Sequence, residues 1–448
     1  MQTEQEIQQY QRMTQEPIGK LLFTLSIPTI ISMMVTNIYN LVDTAFVGTL
    51  GTSESGATGI VFGYMSILQA IAFMCGQGAG SIMSRRLGAK NLEEATTYSS
   101  TGFFLSFSFG LIVALGSMIF LDPLLCLLGS TRTIAPFAKK YLIFIMMSAP
   151  FFTSSLTMNN LLRYEGKAKL GTIGLMVGAA INIFLDWILI FGCKLGISGA
   201  GIATAISQCI SFSILRSMFL RGKTQTKISI RYVSRQFSII WNVLATGFPS
   251  LLRQALNSVA AVMLNKAAGI YGDEAVAAMS IVSRISFFPV AVAIGIGQGF
   301  QPISSFNFGA GKKDRVRKAF WSAFAGAEIV LFVMSVPIFI FSGVLVQQLR
   351  DDPKVIEIGI RALRFMCIGQ LFVPLAMMVE MGFQSIGEKL LASFGSSLRS
   401  GLLFIPTLLI LKACRGLRGV QEAQPLSFAL TFVVCIFLCK IYLKHLKS

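Results

Sequence analysis

Apolar runs of about 20 residues, each long enough to cross a bilayer as a helix, follow one another along the whole chain between short polar segments. The pattern predicts twelve such spans, starting near residues 20, 56, 98, 136, 168, 199, 238, 274, 316, 355, 392 and 424. No polar stretch between them is long enough for a soluble domain. The expected fold class is an all-α polytopic membrane protein.

The chain repeats itself at one fixed offset. Pro28 meets Pro249, Gly48 and Gly51 meet Gly269 and Gly272, and Gly166 meets Gly387. "GQG" at 76–78 meets "GQG" at 297–299. The twelve spans therefore form two pseudo-symmetric six-helix lobes. Six is even, so both lobes enter the membrane from the same side, as in the parallel repeats of many secondary transporters. The expected domains are a cytosolic tail (1–19), an N-lobe (20–220), a basic cytosolic linker (221–237), a C-lobe (238–443) and a C-terminal tail (444–448).

Composition supports the class. Only 13% of the 448 residues are charged, about half of what a soluble chain carries. The formal net charge of +18 would suggest nucleic acid in a soluble protein, but its placement argues otherwise. With the N-terminus cytosolic, 24 of the 38 Lys and Arg fall in inner segments and 10 in outer ones. That asymmetry places both termini in the cytoplasm. The charge reads as topology and attraction to anionic lipid, with no nucleic-acid partner. The N-terminus lacks a cleaved-signal layout. The expected location is the inner (plasma) membrane.

Enzyme chemistry finds little support. The eight cysteines contain no CxxC pair and sit mostly in apolar runs, and the single histidine, His445, lies at the tail. No cofactor is expected. The "GAGK" at 309–312 is followed by Lys313 where a Walker A needs Ser or Thr.

The polar exceptions carry the chemistry. In "AINIFLDWILIFG" (180–192), Asn182 and Asp186 stand four residues apart, on one face of span 5. Asp43 in span 1 lies five residues before Gly48, and Asp186 six before Gly192, so both sit about 8–9 Å below the outer ends of their helices. Thr204, one turn after Ala200 in span 6, falls at the same depth. A carboxylate in lipid costs several kcal/mol and needs partners or a cavity. Two carboxylates with an amide and a hydroxyl can share a proton or hold a small hard cation. A purely structural polar cluster is the alternative. Asn159 and Asn160 of span 4 either line a cavity or satisfy a helix end. Tyr39, Asn37 and Asn40 suit an organic cation or interfacial anchoring. Glu380, the counterpart of Asn159, and Arg253, Arg284 and Glu328 suit interhelical ion pairs or substrate binding. Asp43 has no acidic counterpart, since position 264 is Leu. Pro28, inside span 1, permits a hinge or a fixed kink.

Together "VDTAFVG" (42–48), "GQGAGSIMSRRLGA" (76–89), "RYEGKAK" (163–169), "NIFLDWILIFG" (182–192), "GISGAGIATA" (196–205) and "GQGFQPISSFNFGA" (297–310) resemble the multidrug and toxic compound extrusion (MATE) family over nearly the whole chain. The resemblance implies export of bulky, often cationic organic compounds by antiport with H⁺ or Na⁺, from a protein expected to be monomeric. It implies a first-lobe cation site at Asp43, Asn182, Asp186, Thr204 and the backbone of Ala200, with Tyr39, Asn159 and Met176 in the drug-facing lining. One branch of the family places essential acids in the second lobe, in spans 7 and 10. Here span 7 carries Arg253 and Lys266, and span 10 carries only Glu380, at a position that does not align with that acid, so the chain looks more like the branch that couples in the first lobe. A lipid-linked oligosaccharide flippase of the same superfamily is the competing expectation. It is favoured by Arg253 and Arg284 and disfavoured by the span count.

Overall fold

The computed structural model describes residues 4–447. Residues 1–3 of the expected N-terminal tail and residue 448 of the expected C-terminal tail lie outside the described residues. Among the described residues the chain is helical, without strands. A short helix, Glu4–Gln15, precedes the spans. Spans 1 to 6 are Ile18–Gly48, Thr52–Gly88, Leu92–Ile119, Ala135–Tyr164, Ala168–Gly192 and Ile197–Leu220. Spans 7 to 12 are Phe237–Gly269, then Asp273–Gly309, Lys313–Ile340, Pro353–Ile386, Lys389–Arg415 and Leu417–His445.

Eleven of these are long and apolar enough to cross a membrane. Span 7, at 33 residues, is long enough, but Arg253, Gln254 and Asn257 interrupt its apolar run. Spans 3 and 12 start several residues earlier than hydropathy predicts, because their polar first turns are helical too. In span 3 the start is set by Asn91. Its side chain accepts the Glu94 backbone N–H (3.1 Å) and donates to the Glu94 carboxylate (3.0 Å), a reciprocal arrangement close to a capping box.

The repeat is visible in backbone detail. Gly166 and its repeat counterpart Gly387 both end a helix with positive φ, +80° and +95°, where a side chain would be strained. Short helices follow span 3 (Leu121–Leu127) and span 9 (Ser342–Leu349), and their first residues are again repeat counterparts. Hydropathy does not predict these helices, since they are too short to register as spans.

The chain forms two compact units. One holds Ile31–Gly247 with the described residues through Tyr10; the other holds Gln11–Ile30 and the chain from Phe248 onward. Spans 1 and 7 therefore each divide between the units, close to Pro28 and Pro249. The same contact is made once in each unit. In the second, Ser26 of span 1 lies against Gly299 of span 8, where an added Cβ would fall 2.2 Å from the Ser26 hydroxyl. In the first, span 7 lies against Gly78 of span 2, where an added Cβ would fall 2.2 Å from the Val243 carbonyl and 2.9 Å from the Gly247 nitrogen. The "GQG" triplets thus serve close helix packing.

Within the first unit, span 4 packs on spans 2, 3 and 6, and span 5 on span 6. In the second, span 8 packs on spans 9 and 10, and span 12 on spans 10 and 11. The basic segment after span 6 is bound into the first unit rather than tethered loosely. Glu165, buried at the end of span 4, accepts the backbone N–H groups of Gln225 (3.1 Å) and Thr226 (2.8 Å) and the Thr226 hydroxyl (2.5 Å). Ser100 and Thr101 accept from the N–H groups of Ser229 (3.2 Å) and Ser234 (3.1 Å).

Candidate cation site

The site lies wholly in the first unit. Asp43 is carried on span 1, one helical turn along from Tyr39. Asp186 is the last residue of the α-helical part of span 5. From Trp187 to Gly192 that span continues as π-helix, a form that recurs as local bulges at functional sites. Ala200 and Thr204 come from span 6 and are buried.

These residues meet through one the sequence did not single out. The Tyr141 hydroxyl, from span 4, donates to Asp43 Oδ2 (2.9 Å) and lies 3.5 Å from Thr204 Oγ1. Asn182 Nδ2 donates to the same Thr204 oxygen (3.3 Å). Asp186 is 0% exposed and within electrostatic reach of Asp43. Tyr141 and Ala200 belong to a continuous apolar cluster with Val47, Tyr64, Ile190 and Ile197, which holds the polar groups in place and limits water. In the sequence Tyr141 reads as an ordinary aromatic near a helix end, beside Lys139 and Lys140. Nothing there marks it as a partner of Asp43, which lies three spans earlier.

Four buried oxygens here have no hydrogen-bond partner: Asp43 Oδ1, Asn182 Oδ1 and both carboxylate oxygens of Asp186. Buried polar atoms are nearly always bonded, and an unpaired carboxylate is the costliest exception. Oxygens alone make a hard donor set, suited to a proton or Na⁺. No cluster of three or more His, Cys, Asp or Glu able to hold a metal occurs among the described residues.

Tyr141 is directly testable. Its hydroxyl offsets part of the Asp43 charge, and a hydrogen bond to a charged group contributes about 1.5–3 kcal/mol. Tyr141→Phe should leave Asp43 a stronger cation acceptor. The half-saturating concentration of the coupling cation in a transport assay should fall roughly tenfold. An unchanged value would separate Tyr141 from the site.

The other expected residues scatter. Tyr39 and Asn40 line a cavity of about 60 Å³ together with Asn182, Thr36, Gln69 and Gly178, room for a few waters or an ion. Asn37 donates to the Met33 carbonyl one turn below (2.7 Å) and does not line that cavity. Asn159 packs against Gly171 of span 5. Asn160 is buried against Gly76, donates to the Leu156 carbonyl (2.7 Å) and accepts from Arg163 (2.5 Å). These contacts place its amide between spans 2 and 4. Met176 is 40% exposed and lies outside the cavity, which its neighbour Leu175 lines. Glu380 is buried in the second unit in an ion pair with Arg253 (2.5 Å), and Arg399 lies within electrostatic reach of both. Pro28 sits inside the continuous helix of span 1.

Fold and repeat define a polytopic membrane protein made of two tandem six-span halves, with a buried acidic pair in one unit. The chain belongs to the MatE family, whose model matches residues 28–188 and 249–410, two stretches that begin at the repeat counterparts Pro28 and Pro249. It is similar to the multidrug export protein MepA of Staphylococcus aureus, 26% identical over 405 residues, covering 90% of this chain and 89% of that protein. It is similar to MepA of Staphylococcus haemolyticus, 25% identical over 432 residues, with 96% and 94% covered. A crystal structure of MATE in complex with MaD5 superposes with a TM-score of 0.91 at 25% identity, covering 100% of both chains.

Proposed function

We propose that the chain is a secondary antiporter that exports bulky, often cationic organic compounds in exchange for H⁺ or Na⁺. The cation is taken up by Asp43 and Asp186, with Asn182, Thr204 and the Ala200 carbonyl completing the shell. The single observation that carries this reading is the set of partnerless oxygens on Asp43, Asn182 and Asp186. A bound cation would give these oxygens the partner they lack, whereas a structural cluster would satisfy itself. The names of the MepA relatives support the substrate class, multiple drugs.

Coupling then belongs to the first unit. The buried acid of span 10, Glu380, is already neutralised by Arg253. In the proposed cycle, one cation held between Asp43 and Asp186 offsets one negative charge of the pair and weakens the Tyr141 bond to Asp43. Span 1 bends near Pro28, where it leaves one compact unit for the other, and bound drug is released outside. Both termini lie in the cytoplasm, the protein sits in the inner membrane, and it works as a monomer.

Reconstitution in proteoliposomes tests this. Ethidium should move against its gradient when a pH gradient or a sodium gradient is imposed separately, and the effective gradient names the ion. Equal flux with no gradient would show a passive pore and end the antiport reading.

A further inference from the structure

The segment that leads into span 1 is pinned to the start of span 9. Arg315 donates from Nη2 to the Glu16 carbonyl (2.7 Å) and from Nε to Asn307 Oδ1 (3.1 Å). Lys312 Nζ donates to the Thr14 carbonyl (3.2 Å), and Asn307 Nδ2 to the Met13 carbonyl (3.0 Å). These bonds fix Pro17 and Ile18 as one wall of a cavity of about 540 Å³, whose other wall is Arg315, Arg317, Lys318 and Trp321. The nearby acids are already engaged: Glu16 by Lys20 (2.9 Å) and Arg12 (3.5 Å), Asp314 by Arg317 (3.4 Å).

One wall is the entry to span 1 and the other the first three turns of span 9, so the cavity opens at a membrane surface. The distribution of Lys and Arg assigns that surface to the cytoplasm. Three cations, the apolar Pro17 and Ile18 and a half-exposed indole make a mixed lining. A phosphodiester would meet Arg317 and Lys318. The Trp321 ring and Ile18 would lie against the glycerol and first acyl carbons, the depth at which Trp is favoured. Basic pockets between spans on the cytoplasmic side suit anionic headgroups.

We propose that this cavity binds the headgroup of an anionic phospholipid of the inner leaflet. A lipid seated there braces the entry of span 1, the helix that carries Pro28 and Asp43, so headgroup occupancy and transport are linked. The inference rests on the cytoplasmic placement proposed above and not on drug export.

The test is lipid binding by the full-length protein in detergent, read by native mass spectrometry with equal amounts of dioleoyl phosphatidylglycerol and dioleoyl phosphatidylcholine. Phosphatidylglycerol should be retained in preference. Lys318→Gln should reduce its retention about fivefold and Arg317→Gln with Lys318→Gln about 25-fold, toward the phosphatidylcholine level. Arg231→Gln with Arg235→Gln, which removes two exposed charges from the linker, should change nothing. Size-exclusion elution reports folding, and the single Lys318→Gln variant decides the matter should the double variant fail to fold. Absence of headgroup preference, an equal loss in the linker variant, or full displacement by millimolar inorganic phosphate would each overturn the proposal. The last would mark a site for free phosphate instead.

Discussion

Asp186→Asn should reduce ion-driven ethidium export in proteoliposomes by at least about 100-fold, equivalent to about 2.7 kcal/mol of lost coupling, while the protein stays folded. The side chain keeps its volume and shape, so packing is preserved. No native hydrogen bond is lost, because neither Asp186 oxygen has a partner. Removing a buried unpaired carboxylate relieves a desolvation penalty, so the apparent Tm in detergent should hold or rise. Lost transport with retained or increased stability is the signature of a residue kept for function at a cost in stability. Wild-type export by this variant would refute the cation site. Unfolding would show Asp186 to be a structural residue instead.

Glu380→Gln should do the reverse and act mainly on stability. Arg253 and Arg399 both lean on this carboxylate in the interior of the second unit. Its neutralisation leaves guanidinium groups uncompensated in a low-dielectric setting. Breaking a buried pair by removing one partner costs about 3–5 kcal/mol, and the expected readout is a lower apparent Tm and a smaller monodisperse peak on size exclusion. Replacing both partners by methionine should recover much of the loss, since apolar substitution of a buried pair is often close to neutral. If Glu380→Gln instead keeps the wild-type Tm and loses transport, the second unit holds a coupling or substrate residue after all.

The two acids show what a sequence can and cannot say. Asp186 and Glu380 look alike as text: single carboxylates in apolar stretches. Their difference lies in Arg253, a neighbour of Glu380 supplied by span 7, and in the lack of such a neighbour at Asp186. Tyr141 was illegible for the same reason, since its value comes from standing next to Asp43. Asn160 and Met176 stand apart from the cation-site residues. Each has a chemistry suited to a substrate, but Asn160 is committed to Gly76, Leu156 and Arg163, and Met176 lies outside the cavity that Tyr39, Asn40 and Asn182 share.

The number of spans, the tandem repeat and the family all follow from one dimension. Hydropathy, helical rise and the constant offset between the halves depend only on residue order. Tertiary structure decided which buried charges are paired and which are left open. It also decided that the chain divides inside spans 1 and 7 and not at the linker, and that the linker itself is held by Glu165. Those outcomes depend on distances of a few ångströms between residues far apart in the chain, and no local pattern encodes such distances.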